Sequence, residues 1–137
     1  MQSCARFVGN RQGLRDWAAK AGLSEVPAEG EAAFLHGAPG RVFDATNAAG
    51  KFVVVSPDDG SCSAVAERAD GGAVIADVEA RLRDSGVAVT LAGETDDKAV
   101  RGVRHREYVV SQDRQAWQIL LSIPLDGPGP AMLTAVP

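Results

Sequence analysis

Past Arg41 the chain is broken at short intervals by turn-forming tetrapeptides, Asn47-Ala48-Ala49-Gly50 and then Pro57-Asp58-Asp59-Gly60, each flanked by apolar residues. Connections this short can only reverse a strand, because a parallel neighbour needs a crossover of a dozen or more residues. The spacing therefore predicts a three-stranded antiparallel meander over residues 41–46, 51–56 and 61–69. In its middle strand Phe52-Val53-Val54-Val55 is a continuous apolar run, which predicts cover on both faces.

The other segments follow from a change of period. Leu14, Trp17, Ala18 and Ala21 fall on one face of a helix over 12–21, with Asn10 as its N-cap and Gly22 as its stop. A second helix over 28–35 turns Phe34 and Leu35 inward and ends in the turn from His36 to Gly40. After Asp70-Gly71-Gly72, helical spacing returns over 73–85 with Val74, Val78 and Leu82, and Asp70 is placed to cap it. Four more strands are predicted at 87–92, 100–111, 117–123 and 131–136, with 93–98, 111–114 and 126–130 as linkers.

The resulting order, ααβββαββββ, predicts an α+β fold: an antiparallel sheet of about seven strands with helices packed on it. Profilin-like and PAS-like sheets are the nearest shapes, a likeness of architecture that carries no function. A chain of 137 residues suits one domain, 1–137, burying roughly 68% of its unfolded surface. With 45% hydrophobic residues but only 5% aromatic, its core must be built mainly from Val, Ala and Leu.

Charge removes one class of partner. The formal net charge is -4, with 14 basic against 18 acidic residues, so nucleic acid is not expected. No apolar window is long enough to span a bilayer. Met1-Gln2-Ser3-Cys4 is an unusual opening, a polar dipeptide running straight into a cysteine, and suggests a targeting peptide removed with Met1 supplied in its place.

Cys62 in Asp59-Gly60-Ser61-Cys62-Ser63-Ala64-Val65 raises three chemistries. As a nucleophile it needs a base, and only His36 and His105 exist; the resemblance to a nucleophile elbow fails because here the turn precedes the strand. As a ligand it lacks partners, since two Cys and two His without C-x-x-C or H-x-x-x-H spacing are no zinc set, and no metal is expected. Two cysteines, Cys4 and Cys62, are what one disulfide needs; the alternative is two reduced buried thiols. A bridge would close a loop of about 57 residues and stabilise the fold by about 4 kcal/mol.

The densest basic run, Arg101, Arg104, His105 and Arg106, is a candidate binding patch for an acidic partner. The plainer reading is a solvated strand face balanced by Glu94, Asp96, Asp97 and Glu107. Asp58-Asp59 and Asp96-Asp97 sit in predicted turns, where aspartate bonds the backbone first. No glycine-rich segment has phosphate-loop spacing, so no nucleotide or other cofactor is expected. Trp17 and Trp117 read as core anchors.

Several segments recur together in a recognisable order: Cys4, Gly9-Asn10-Arg11, Leu14-Arg15-Asp16-Trp17-Ala18, Gly22 to Val26, Pro39-Gly40-Arg41-Val42-Phe43, and Asp59 to Val65. With these the chain resembles a family of small uncharacterised proteobacterial proteins made with a signal peptide or a lipoprotein signal. The likeness runs to about Ala131-Met132-Leu133-Thr134 and departs at Phe43, where the family often has Trp. It implies export to the periplasm, where Cys4 and Cys62 would pair. An acylated Cys4 could not also pair. The likeness implies no activity, cofactor or catalytic residue.

The favoured expectation is a non-enzymatic exported module that binds another protein of the cell envelope, an immunity-like or inhibitor-like role being its specific version. One alternative is a cysteine-dependent hydrolase using Cys62 with His105 brought into reach, which requires a reactive thiol. The other is a small-molecule sensor domain, which requires a sizeable apolar pocket with converging polar groups.

Overall fold

A computed structural model describes residues 2–137; Met1, read above as supplied in place of a targeting peptide, lies outside the described residues. Two helices open the chain. The first, α1 (Gln2–Phe7), is too short to persist alone, and its buried Cys4 is bonded to Cys62. The second, α2 (Arg11–Lys20), starts where the Asn10 side chain accepts from the Gly13 N–H at 2.9 Å, and buries Leu14 and Ala18. Gly22, at φ 73, ends it in the left-handed conformation that glycine adopts freely. The two-residue strand β1 (Ser24–Glu25) and helix α3 (Ala28–Leu35) follow.

Then comes the meander: β2 (Gly40–Asp44), β3 (Phe52–Pro57) and β4 (Cys62–Ala69). Helix α4 (Gly71–Asp84) is capped by the Asp70 side chain, which accepts from the Ala73 N–H, and carries Arg81 and Arg83 in its last turn against the negative end of the helix dipole. It leads to β5 (Ala88–Asp96), β6 (Val103–Gln112), β7 (Gln115–Pro124) and β8 (Gly129–Val136). Among the described residues no helix is long and apolar enough to cross a membrane.

All strands join one antiparallel sheet in the order β1-β2-β3-β4-β8-β7-β6-β5. Each of two meanders runs from an edge to the centre, and α4 carries the chain from the end of the first to the far edge. The last strands of the two meanders, β4 and β8, meet at the centre, with Cys62 opposite Ala135, Ala64 opposite Leu133 and Ala66 opposite Ala131. The α+β fold is thus as the sequence predicts, with eight strands and four helices among the described residues.

The sheet is covered unequally. One face holds the main core, where Val54, Ala64, Leu133, Ile119, Leu121 and Tyr108 meet Cys4, Leu14 and Ala18 from α1 and α2 and Val78 and Leu82 from α4. On the other face α3 lies over β2 and β3 and buries the opposed pair Val42 and Val55. Val54 and Val55 are both buried, so β3 has cover on both faces, as its apolar run predicts. Beyond β4 that second face is open, and Val109, Leu120 and Met132 are 38%, 40% and 41% exposed.

Three local differences have physical causes. α1 has no periodic span to betray it and is fixed by its disulfide. β1 is two residues recruited by the edge of β2, with Ser24 opposite Asp44 and Glu25 opposite Phe43. Residues 93–96, predicted as a linker, continue β5 past an irregularity at Ala92, because Glu94 and Asp96 lie opposite Arg106 and Arg104 and ion pairing replaces apolar alternation.

Candidate functional site

On the helix-covered face α1 and α4 leave between them a cavity of about 880 Å³ floored by the sheet. The wall from α1 carries Ala5, Arg6 and Phe7, and Trp17 of α2 stands beside it, its ring centroid 6.3 Å from that of Phe7. The wall from α4 carries Val78, Arg81, Leu82 and Ser85. Ile119 and Leu133 form the floor together with Trp117, while Gln112 and Gln115 close one end.

Local sequence explains each wall. Cys4 clamps α1 to β4, the Gly9 N–H donates to the Gly60 carbonyl at 3.0 Å, and Gly9 takes φ 75 in the turn into α2. The α4 stripe of Val74, Val78 and Leu82 faces the core at one helical turn per step. The end wall is the β6–β7 hairpin, reversed by Asp113 and Arg114 at φ 49 and 69, a two-residue turn whose positive angles match the twist of the strands.

One atom of a lining residue is conspicuous. The Trp117 indole Nε1 is buried and has no hydrogen-bond partner. Buried indole N–H groups normally find an acceptor, and leaving one unmade costs about 1–3 kcal/mol. The polar side chains on the lining are Arg6, Arg81, Ser85, Gln112 and Gln115, and no carboxylate side chain lines it. Trp17 and Trp117, expected as core anchors, pack against the core only in part and give their remaining surface to the cavity.

The candidate basic patch does not assemble. Strand alternation puts Arg104 and Arg106 on the helix-covered face of β6 and His105 on the open face. Arg104 Nε meets Asp96 Oδ1 at 2.7 Å, and Arg106 lies between Glu79 at 3.6 Å and Glu94 at 3.0 Å. The Arg106 guanidinium also sits 5.7 Å from the centroid of Tyr108, whose hydroxyl donates to Glu79 at 2.8 Å. Burial, then the bond to Glu79, pushes the Tyr108 phenol above its ordinary range. Arg101 lies apart, exposed in the turn between β5 and β6.

His105 has its own chain. Its Nε2 is 2.6 Å from Asp97 Oδ2 and its Nδ1 is 2.8 Å from Ser122 Oγ. The bond from His105, with backbone N–H groups of Val100 and Ala99 on the other oxygen, holds the Asp97 carboxyl down at about 2. An acid, a base and a hydroxyl in series have the composition of an acyl-transfer site. Ser122, however, is mid-strand, paired with His105 on one side and Met132 on the other, so its backbone belongs to the sheet and supplies no pocket for an oxyanion. The chain instead ties the turn after β5 to β6 and β7.

Cys62 is fully buried and bonded to Cys4, with 5.2 Å between the Cα atoms, and neither cysteine is free. The thiol that a Cys62-dependent hydrolase needs is therefore absent, and His105 is engaged elsewhere. The predicted turn aspartates behave as such: Asp59 Oδ1 accepts from the Ser61 N–H and Asp97 Oδ1 from the Ala99 N–H, each at 2.8 Å. Among the described residues no three His, Cys, Asp or Glu side chains gather as a metal site.

The chain matches no protein family, no curated protein and no solved structure, so its function has to be read from its own geometry.

Proposed function

We propose that this protein is a non-enzymatic ligand-binding domain of an oxidising compartment, in the periplasm, and that the cavity between α1 and α4 takes a small, largely apolar molecule. The observation that carries this reading is the cavity of about 880 Å³ walled by Phe7, Trp17, Val78, Leu82, Ile119 and Leu133. Pockets of roughly 300–1,000 Å³ with apolar walls and a few polar groups are the usual form of small-molecule sites. The disulfide is compatible with a periplasmic or extracellular setting.

Titration with the neutral fluorophore N-phenyl-1-naphthylamine tests it. Saturable one-to-one binding is expected, and Ser85→Phe, which adds bulk at the cavity wall without entering the core, should weaken it. Binding that fails to saturate, or that Ser85→Phe and Ala5→Phe both leave unchanged, overturns the reading.

A second reading, recognition of another protein of the cell envelope, is favoured by the open sheet face with its exposed Val109, Leu120 and Met132. An immunity-like or inhibitor-like role is the specific version of it. Leu120→Glu with Met132→Glu should abolish capture of such a partner from envelope extract while leaving fluorophore binding intact; retained capture sinks it.

A further inference from the structure

We infer that the cavity selects an amphipathic anion, a carboxylate carried on an aliphatic chain, with Arg6 and Arg81 at its walls meeting the charge. This rests on the ligand-binding reading above and narrows it to one chemical class. Two observations point the same way.

The first is a local reversal of charge. The chain as a whole carries -4, yet the lining has two arginines and no acidic side chain. Arg81 shares its charge with Asp77 while Arg6 has no such partner among the described residues, and that unshared positive charge would draw an anion in. The second is that both guanidiniums keep donors to spare. Arg6, 5.3 Å from the Phe7 ring centroid, has no ion-pair partner among the described residues. Arg81 directs its Nε at both oxygens of Asp77, at 2.9 Å each, and that contact leaves its two terminal nitrogens uncommitted. A planar guanidinium with free N–H groups suits the two oxygens of a carboxylate.

An anionic ligand is acceptor-only at its head, so it brings what the spare guanidinium donors need without adding a donor to be satisfied. The apolar walls, Phe7, Trp17, Val78, Leu82, Ile119 and Leu133, are left for the aliphatic chain.

The test compares three probes that share a tail: decanoate, 1-decanol and decyltrimethylammonium, titrated by calorimetry into the intact, oxidised protein. Decanoate is expected to bind about tenfold more tightly than decanol, a difference of about 1.4 kcal/mol. The double variant Arg6→Gln/Arg81→Gln should remove that advantage and leave decanol unchanged; both residues are exposed, so the fold is retained. Raising the salt concentration should weaken decanoate alone. Equal affinity for decanoate and decanol, or an advantage that survives the double variant, overturns the anion assignment while the ligand-binding reading stands. If no probe binds, both fail. If decanoate binds equally well to Ser85→Phe, the anion is held outside the cavity and the assignment also fails.

Discussion

The two meanders that meet at the centre of the sheet are built from different materials. The first, β1 to β4, has short strands, cover on both faces over β2 and β3, and a covalent tie from Cys4 to Cys62. The second, β5 to β8, has longer strands, an open outer face, and an edge held by Arg104 and Arg106 against Glu94, Asp96 and Glu79. A chain poor in aromatic residues has thus stabilised one half by burial and a crosslink and the other by register length and charge. The first should be sensitive to redox state and the second to acid.

The largest effect is expected at the crosslink. Cys4→Ser with Cys62→Ser should lower unfolding free energy by about 4 kcal/mol in a urea titration. Hydrogen exchange should then accelerate in α1 and β4 while β6 and β7 keep their protection; uniform acceleration would erase the distinction between the halves. Next comes the joint. A Cβ at Gly71 would run into the carbonyl oxygen of Pro124, a backbone atom that has little room to move. Gly71→Ala should therefore cost about 2 kcal/mol, and an unchanged denaturation midpoint would mean that α4 is free to shift.

Within the second half, Tyr108→Phe removes the bond to Glu79 and should cost about 1 kcal/mol. The smallest effect is at Asp97 and depends on pH. Its folded carboxyl titrates at about 2 rather than at its ordinary 3.8, so its contribution is complete above pH 4 and disappears as pH falls toward 2. The stability difference between the protein and Asp97→Asn should accordingly shrink over that interval; a difference that is constant with pH would show that the His105 contact does not bear on folding.

What could be read from the chain follows the range of the interactions. α3 falls on residues 28–35 as its spacing predicts, and the meander turns are signalled by Asn47 to Gly50 and Pro57 to Gly60. These are local signals. The charged second half of β5 was hidden because Glu94 and Asp96 have a partner only once β6 is beside them. The basic run from Arg101 to Arg106 looked continuous only while strand alternation was left out, since a period of two separates His105 from its arginine neighbours. The cavity was out of reach altogether. Trp17 and Trp117 are visible as apolar positions, but that they face one space depends on α4 crossing to the far edge and on β8 pairing with β4.

The strand β5 also matters for how copies of this protein meet one another. It is an edge nine residues long with one unpaired row of backbone groups, the kind of border on which a second chain can template itself. The irregularity at Ala92 interrupts that row, and an antiparallel copy paired about Thr95 would bring Glu94 of each chain opposite Asp96 of the other. The carboxylates that hold this edge to its neighbour thereby also disfavour the addition of a further strand beside it.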